Sequence, residues 1–279
     1  MSEKISFVPA SSMTFEAFAQ LYTRSFENYF YPMAQTVEGF AARARTEQHD
    51  LYRSVVLRVD GAPAGQATLA LRGDQAWCGG FGIVPEFRGR RLGPPLFAEL
   101  VAQARQAGAR TLQLEALTRN APALRVYTGA GLRPLRETRL LEWKREGDAD
   151  AAPTGTPAFA QPADMMQLAA CFSRLHAVKP VWGRDLPSLM LRKGLLQTQI
   201  MRGEDIAACV LFAGQEGTSR IADVGAEDAA QAAALLAQMQ SHYQHIVFID
   251  APAESPITAA FDGAGFHEFD RQYELFMTL

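Results

Sequence analysis

The sequence predicts an α/β protein built as two tandem halves. Three observations carry that expectation. Apolar runs of strand length alternate with segments of helical apolar spacing, a polar stretch divides the chain near its middle, and two segments 134 residues apart share one pattern (Asn120 onward and Glu254 onward). In the first half, residues 5–8 read as a short strand and residues 15–26 as a helix with one apolar face. A second helix is expected over 37–47. Residues 53–59 and 66–71 form the arms of a hairpin around Asp60-Gly61, a dipeptide suited to the left-handed angles of a tight turn. Residues 77–84 make a further strand that Pro85 stops. An amphipathic helix over 96–106 ends before Gly108, a residue suited to a helix C-terminus. Strand 111–117, helix 121–129 and strand 136–143 complete the unit. In the second half, 164–176 and 228–242 read as helices. Residues 196–201, 206–212, 220–224, 245–251 and 270–277 read as strands.

The dividing stretch is KREGDADAAPTGTPA, with charge, small residues and two prolines but no apolar period. It sets the expected domains at 1–145 and 158–279 with a linker over 146–157. The repeat is NAPALRVYTGAGL against ESPITAAFDGAGF, which places Pro122 on Pro256, Tyr127 on Phe261, Gly129 on Gly263 and Gly131 on Gly265. Each copy follows one apolar strand and precedes another. Shared order, spacing and identities point to duplication of a strand–helix–strand unit.

Composition narrows the class. Of 279 residues, 48% are hydrophobic and 20% charged, the balance of a chain able to bury a full core. A formal net charge of −3 gives no general attraction for nucleic acid, so any basic patch is local. The three cysteines lie far apart, without metal-type spacing or a disulfide framework, which fits a cytoplasmic address. The start MSEKISFVPASSMTF lacks the apolar core of a signal peptide, and no apolar run approaches the ~20 residues of a membrane helix. Neither a metal nor a membrane partner is expected.

The segment FGIVPEFRGRRLGPPLFAEL, residues 81–100, is the most informative. A strand, a proline stop, a loop of arginine and glycine and a helix start would aim main-chain N–H groups and a positive helix end at one spot. Such a spot suits a phosphate or pyrophosphate, and Arg88, Arg90 and Arg91 add forked cationic donors. An ordinary strand-to-helix turn with a solvated basic rim explains the same residues.

With a second pattern in place, the first half resembles the GNAT superfamily of acyl-CoA-dependent N-acyltransferases over about residues 1–145. The family's cofactor signature is a strand ending in V-x-P followed by [QR]-x-x-G-x-[GA] at a helix start. The corresponding residues here are Ile83-Val84-Pro85 and then Arg88-Gly89-Arg90-Arg91-Leu92-Gly93. Its later signature, N-x-x-A-x-x-x-Y-x-x-x-G-[FL], is met by Asn120, Ala123, Tyr127, Gly131 and Leu132. The resemblance implies a mixed, mostly antiparallel sheet flanked by helices in each half, with acetyl-CoA as donor substrate. Two departures stand out. The middle glycine of the loop is Arg91, which is expected to keep the backbone out of glycine-only angles. Pro94 and Pro95 remove two donors at the helix start, where proline is tolerated.

What the resemblance implies for mechanism is direct transfer from acetyl-CoA to an amine. Strands 77–84 and 111–117 should splay, freeing main-chain groups of Phe81, Gly82 and Ile83 to bond a pantetheine arm like an added strand. A main-chain N–H near Ile83 would stabilise the oxyanion. Tyr127 matches the residue that returns a proton to the leaving thiolate, although a core tyrosine on a helix face would look the same. Asn120 could bond pantetheine or cap the following helix. Glu115 is the candidate base for the acceptor ammonium, with a structural ion pair or a solvent-facing position as alternatives. Cys78 reads as small core filling.

The acceptor wall should come from SFENYFYPM: Phe26, Glu27, Tyr29, Phe30, Tyr31 and Met33 would suit an amine carrying an apolar body, while packing of a helix end on the sheet accounts for them equally. The second half resembles the family more faintly. It lacks the Arg/Gly loop, carries Phe261 at the Tyr127 position and carries Glu254 at the Asn120 position. Its expected work is structural: covering a sheet edge, completing the acceptor pocket, or making a homodimer contact. The layout resembles tandem acyltransferases with one degenerate repeat. A non-catalytic acyl-CoA sensor is the rival function. Transfer from an aminoacyl-tRNA is a third, which the absence of a basic stripe opposes.

Overall fold

A computed structural model of the chain describes residues 3–146, 155–215 and 217–279. The expected linker over 146–157 therefore lies mostly outside the described residues. The chain folds as two compact units, Met1–Leu135 with Glu274–Leu279, and Arg136–Tyr273. Their limits differ from the expected division at 145–158. Residues 136–144 group with the second unit and the final six residues with the first.

The first unit contains β1 (Ile5–Pro9), α1 (Phe15–Ser25), α2 (Val37–Glu47), β2 (Val55–Val59), β3 (Ala62–Arg72), β4 (Gln75–Ile83), α3 (Gly93–Gln106), β5 (Thr111–Leu117) and α4 (Ala121–Gly129). Its strands run in the order β1-β2-β3-β4-β5, antiparallel except for the β4–β5 pair. The Asp60-Gly61 turn is tight, with φ of 48° and 85° at its two residues. Helix starts follow local chemistry. The Thr14 hydroxyl accepts from the Ala17 N–H at 3.2 Å, and that of Thr36 accepts from Gly39 at 3.0 Å. Phe18 and Tyr22 of α1 and Phe40 of α2 are fully buried against the sheet. On α3, Leu96, Phe97, Leu100 and Ala104 are completely buried at helical spacing.

The second unit holds most of β6 (Arg133–Lys144), then β7 (Gln161–Pro162), α5 (Met165–Leu175), α6 (Leu186–Leu191), β8 (Leu196–Arg202), β9 (Asp205–Gln215), β10 (Thr218–Ala226), α7 (Ala229–His242), β11 (His245–Pro252), α8 (Thr258–Gly263) and the first part of β12 (His267–Thr278). Strand order is β12-β6-β11-β10-β9-β8-β7, with β10 and β11 parallel. Leu235, Leu236 and Met239 of α7 pack against Val210, Phe212, Val224 and Phe248. α5 covers the other buried cluster with Leu168, Phe172 and Leu175. The α/β class and the mixed, mostly antiparallel sheet flanked by helices are as the sequence predicts. The short β7 and α6 were outside that expectation, being too brief to show a period.

A buried ion triad sits in this second unit. His176 Nε2 lies 2.9 Å from Asp223 Oδ2, and Arg184 Nη2 donates to Asp223 Oδ1 at 3.0 Å. Burial opposes charge on His176, but the charge and hydrogen bond of Asp223 outweigh it and raise the imidazole pKa. Burial likewise opposes the Asp223 carboxylate, and His176 with Arg184 outweighs it and lowers that pKa. The raised histidine contributes stability that is whole below about 6.5 and lost as pH rises through its folded value, while the lowered aspartate contributes above about 3.9. The melting temperature gap between the unmodified chain and His176→Gln should be widest between about pH 4 and 6.5, where the loss is about 3 kcal/mol. A gap that stays constant from acid to alkaline pH would contradict this.

Candidate active site

Main-chain pairing between β4 and β5 covers Gln75, Ala76 and Trp77 against Thr111, Leu112 and Gln113, and then stops. Beyond it the strands diverge. On β4, the Val84 N–H that follows the strand donates to Ala64 O at 3.0 Å on the β3 side. Main-chain groups two residues apart on a strand share a direction. Gly82 therefore also faces β3, and Phe81 and Ile83 present their groups to the gap. The strand bulges where Gly79 is inserted between Cys78 and Gly80 opposite β3.

The loop from Arg88 to Gly93 meets the gap-facing residues of β4 at its two ends: Arg88 Nε lies 2.9 Å from Ile83 O, and a methyl at Gly93 would lie 3.7 Å from Phe81 Cζ. Gly89 adopts φ 78° and Arg91 φ 57°. This corrects the expectation for Arg91. The left-handed angle of the loop is kept, and an arginine takes it at a cost of roughly 1–2 kcal/mol. α3 starts at Gly93, so Pro94 and Pro95 occupy its first turn without breaking it. Among the described residues, the N–H groups of Arg91, Leu92 and Gly93 donate to no acceptor in the chain. Leu92 is buried beneath the loop. A methyl at Gly93 would lie 3.3 Å from Val126 Cγ2, which fixes how closely α3 and α4 approach.

The three arginines do different things. Arg88 donates from Nε to Ile83 O at 2.9 Å, and from Nη2 to Ser25 O at 3.2 Å and Glu27 O at 2.7 Å. Arg90 pairs with Glu3 at 2.7 Å, donates to Glu86 O at 2.8 Å and lies over the Phe87 ring. Arg91 is exposed and makes no hydrogen bond or ion pair among the described residues.

Tyr127 of α4 is 6% exposed, with its ring 5.7 Å from Phe81 and 5.0 Å from Phe97. Burial raises its phenol well above the usual range, and Cys78 and Tyr29 add to the effect. The hydroxyl therefore holds its proton throughout the neutral range. Asn120 takes the capping role: its Oδ1 accepts from the Ala123 N–H at 3.3 Å. Glu115 projects from β5 to receive the Trp77 indole N–H at 2.7 Å. Sequence reasoning did not foresee that partner, because the bond joins two strands 38 residues apart.

The aromatic residues expected to form the acceptor wall make a chain of contacts. Phe26 lies 4.9 Å from Tyr22 and 5.4 Å from Tyr29, and Tyr29 lies 5.2 Å from Phe30. Arg119, which follows β5, sits 4.5 Å over the Phe30 ring and donates to the Tyr31 hydroxyl at 3.1 Å. The Glu27 side chain is exposed, and its carbonyl is held by Arg88. Missed at the sequence level was a buried polar group against Gly79 and Gly80. Glu47 accepts from Arg43 at 2.8 Å and lies 3.1 Å from His49 Nε2, and Arg43 also donates to Gly79 O at 3.0 Å. Burial opposes the Glu47 charge, but Arg43 and His49 outweigh it and keep its pKa low. Tyr22 has its hydroxyl buried with no partner among the described residues, and burial pushes it up to about 12. The signal available was the i,i+4 pair Arg43–Glu47 on a predicted helix, which alone reads as a surface ion pair.

In the second unit, β10 and β11 pair in parallel over Thr218–Ile221 and His245–Phe248 and then also part. A cleft of about 60 Å³ remains there, lined by residues that include His176, Arg184, Val224 and Pro252. No Arg/Gly loop adjoins it, since Asp228 caps α7 two residues after β10 ends. Phe261 is fully buried and stacks on Phe248 at 4.8 Å.

Burial pushes the Cys78 thiol up to about 12, against the Gly80 carbonyl bond and with the Glu115 charge adding to it. Cys171 and Cys209 are raised for the same leading reason. Thiolate is the reactive form. Iodoacetamide at pH 8 should therefore leave the folded chain unlabelled while the denatured chain reacts at all three cysteines. Rapid labelling of Cys78 in the folded protein would contradict this placement.

Residues 15–132 match the Acetyltransferase (GNAT) family. A Bacillus subtilis (strain 168) protein named "Putative ribosomal protein bS18-alanine N-acetyltransferase" is 35% identical over 80 residues, covering 29% of this chain and 53% of that protein. The chain thus spans about half the length of that curated relative. Among solved structures, a tandem GNAT protein from the clavulanic acid biosynthesis pathway is 15% identical, with 99% of this chain and 98% of that one covered and a TM-score of 0.67. A GCN5-related N-acetyltransferase from Sphaerobacter thermophilus is 18% identical over 98% and 95% of the two chains, with a TM-score of 0.66. The chain has the tandem GNAT fold, and its residues 15–132 carry the match to the acetyltransferase (GNAT) family.

Proposed function

We propose that the protein is an N-acetyltransferase that moves an acetyl group from acetyl-CoA to a primary amine of a small molecule by direct attack within a ternary complex. The observation that carries this is the β4–β5 gap, with Phe81 and Ile83 turned into it and Tyr127 against its wall. Pantetheine amides would bond the strand groups there, and the pyrophosphate would meet the N–H groups of Arg91, Leu92 and Gly93. Arg91 supplies a solvent-facing cation at the same place.

In the reaction the amine nitrogen forms a bond to the thioester carbon, and an N–H at Ile83 or nearby stabilises the oxyanion. Collapse breaks the C–S bond. Tyr127 then donates its proton to the CoA thiolate. The resulting phenolate regains one from the amide nitrogen, which enters the tetrahedral intermediate with one proton more than the amide keeps. Burial weakens the phenol as an acid, but it destabilises a thiolate in the same apolar surroundings too, so the two pKa values rise together. Glu115, fixed by the Trp77 indole, takes the proton that the ammonium must lose before attack. The Phe26–Tyr29–Tyr31 wall would hold the apolar body of the acceptor. A second acceptor class, the α-amine of a protein, is favoured by the name of the Bacillus subtilis relative.

Millimolar acetyl-CoA should raise the melting temperature, and Arg91→Glu should reduce the shift. An unchanged melt would sink the cofactor assignment. Tyr127→Phe should keep the shift but lower thiol release with a panel of primary amines by about 10²-fold or more. Binding without thiol release for any amine would instead make the chain a non-catalytic sensor.

A further inference from the structure

The loop arginine that the sequence assigns to phosphate has other obligations. A guanidinium carries five N–H donors, and forked recognition of phosphate uses either the Nε/Nη2 edge or the Nη1/Nη2 edge. Arg88 spends Nε on Ile83 O and Nη2 on both Ser25 O and Glu27 O. Both forked edges include Nη2, so neither is open to phosphate while these bonds stand.

The carbonyls it holds are specific. Ser25 ends α1 and Glu27 lies two residues beyond, in the stretch where a helix leaves carbonyls unsatisfied and favours a nearby cation. Two more contacts fix the same helix end. Gln66 Nε2 donates to Ser25 Oγ at 3.0 Å from β3. A methyl at Gly82 would lie 2.7 Å from Ser25 O, so α1 reaches β4 at all only because that residue is glycine. From this anchored point the chain turns at Asn28, with φ 59°, into the contacts of Phe26, Tyr29 and Phe30.

We propose that Arg88 is a positioning residue for the acceptor wall, clamping the end of α1 and residues 25–27 to the strand that would hold the donor substrate. The phosphate contacts then fall to the N–H groups of Arg91, Leu92 and Gly93 and to the Arg91 side chain. The proposal rests on the acetyl-CoA assignment for the catalytic effect, but the clamp itself can be read without it.

The test compares the unmodified chain with Arg88→Ala, Arg88→Lys and Arg91→Ala. It measures the acetyl-CoA Kd by calorimetry, steady-state constants with the amine that gives fastest thiol release from the panel, and amide hydrogen exchange over residues 25–31. Arg88→Ala should change the acetyl-CoA Kd by less than about threefold while raising the amine KM about tenfold and speeding exchange over 25–31. Arg88→Lys, which keeps a cation near the two α1 carbonyls but loses the planar fork, should restore part of the KM. Arg91→Ala should show the reverse, with a weaker Kd and unchanged exchange at 25–31. A tenfold loss of acetyl-CoA affinity in Arg88→Ala with an unaltered amine KM would overturn the proposal. If Arg88→Ala does not fold, the same constants for Arg88→Lys decide. If the unmodified chain fails to bind acetyl-CoA, the cofactor assignment falls separately, and unchanged exchange at 25–31 in either Arg88 variant would overturn the clamp.

Discussion

Everything in the first unit turns on the end of main-chain pairing between β4 and β5 after Trp77. Up to that point the two strands satisfy each other. Past it, the groups of Phe81 and Ile83 face a gap; the Ile83 carbonyl is taken by Arg88, and the Phe81 groups and the Ile83 N–H have no strand opposite them. A fold accepts such a defect where a ligand supplies the missing bonds. The remaining features lie around the break: α3 and α4 bring Phe97 and Tyr127 against Phe81, the loop from Arg88 to Gly93 meets Ile83 and Phe81 at its two ends, and α1 docks on the glycines of β4.

Glycine placement explains how closely those parts approach. Gly79, Gly80 and Gly82 replace side chains that would strike His49, Tyr22 and Ser25. α1 can therefore lie directly on the strand, and the Arg43–Glu47–His49 group from α2 and the residues after it sits against Gly79. Ionised Glu47 in that setting is held by its partners against the cost of burial. The second unit keeps the same strand divergence between β10 and β11 but not the loop, and buried Phe261 stands where a hydroxyl would be. Divergence is thus a property of the sheet topology in both units, and the donor groups that would exploit it occur in one.

Most of the fold was legible because it rests on local signals. The helix cap weighed at Asn120, the Asp60-Gly61 turn and the apolar spacing of α3 and α7 act over a few residues. The loop and Tyr127 were legible as motifs, since spacing survives in one dimension. What could not be read was partnership over long separations. Arg88 on Ser25 and Glu27, Trp77 on Glu115 and Arg119 on Phe30 and Tyr31 are set by topology, and no local pattern encodes them. The Arg91 conformation was misjudged for another reason: composition says which angles are cheap, whereas the loop dictates which angle is required.

The central claim is that the β4–β5 gap receives the donor substrate as an added strand. Amide hydrogen exchange of Phe81 and Ile83, resolved by NMR with and without acetyl-CoA, tests it most directly. The account predicts marked slowing at both amides when acetyl-CoA is added, with Val224 and Ala226 at the matching gap of the second unit unchanged. Binding of acetyl-CoA that leaves Phe81 and Ile83 unprotected, or protects the second unit instead, would contradict it.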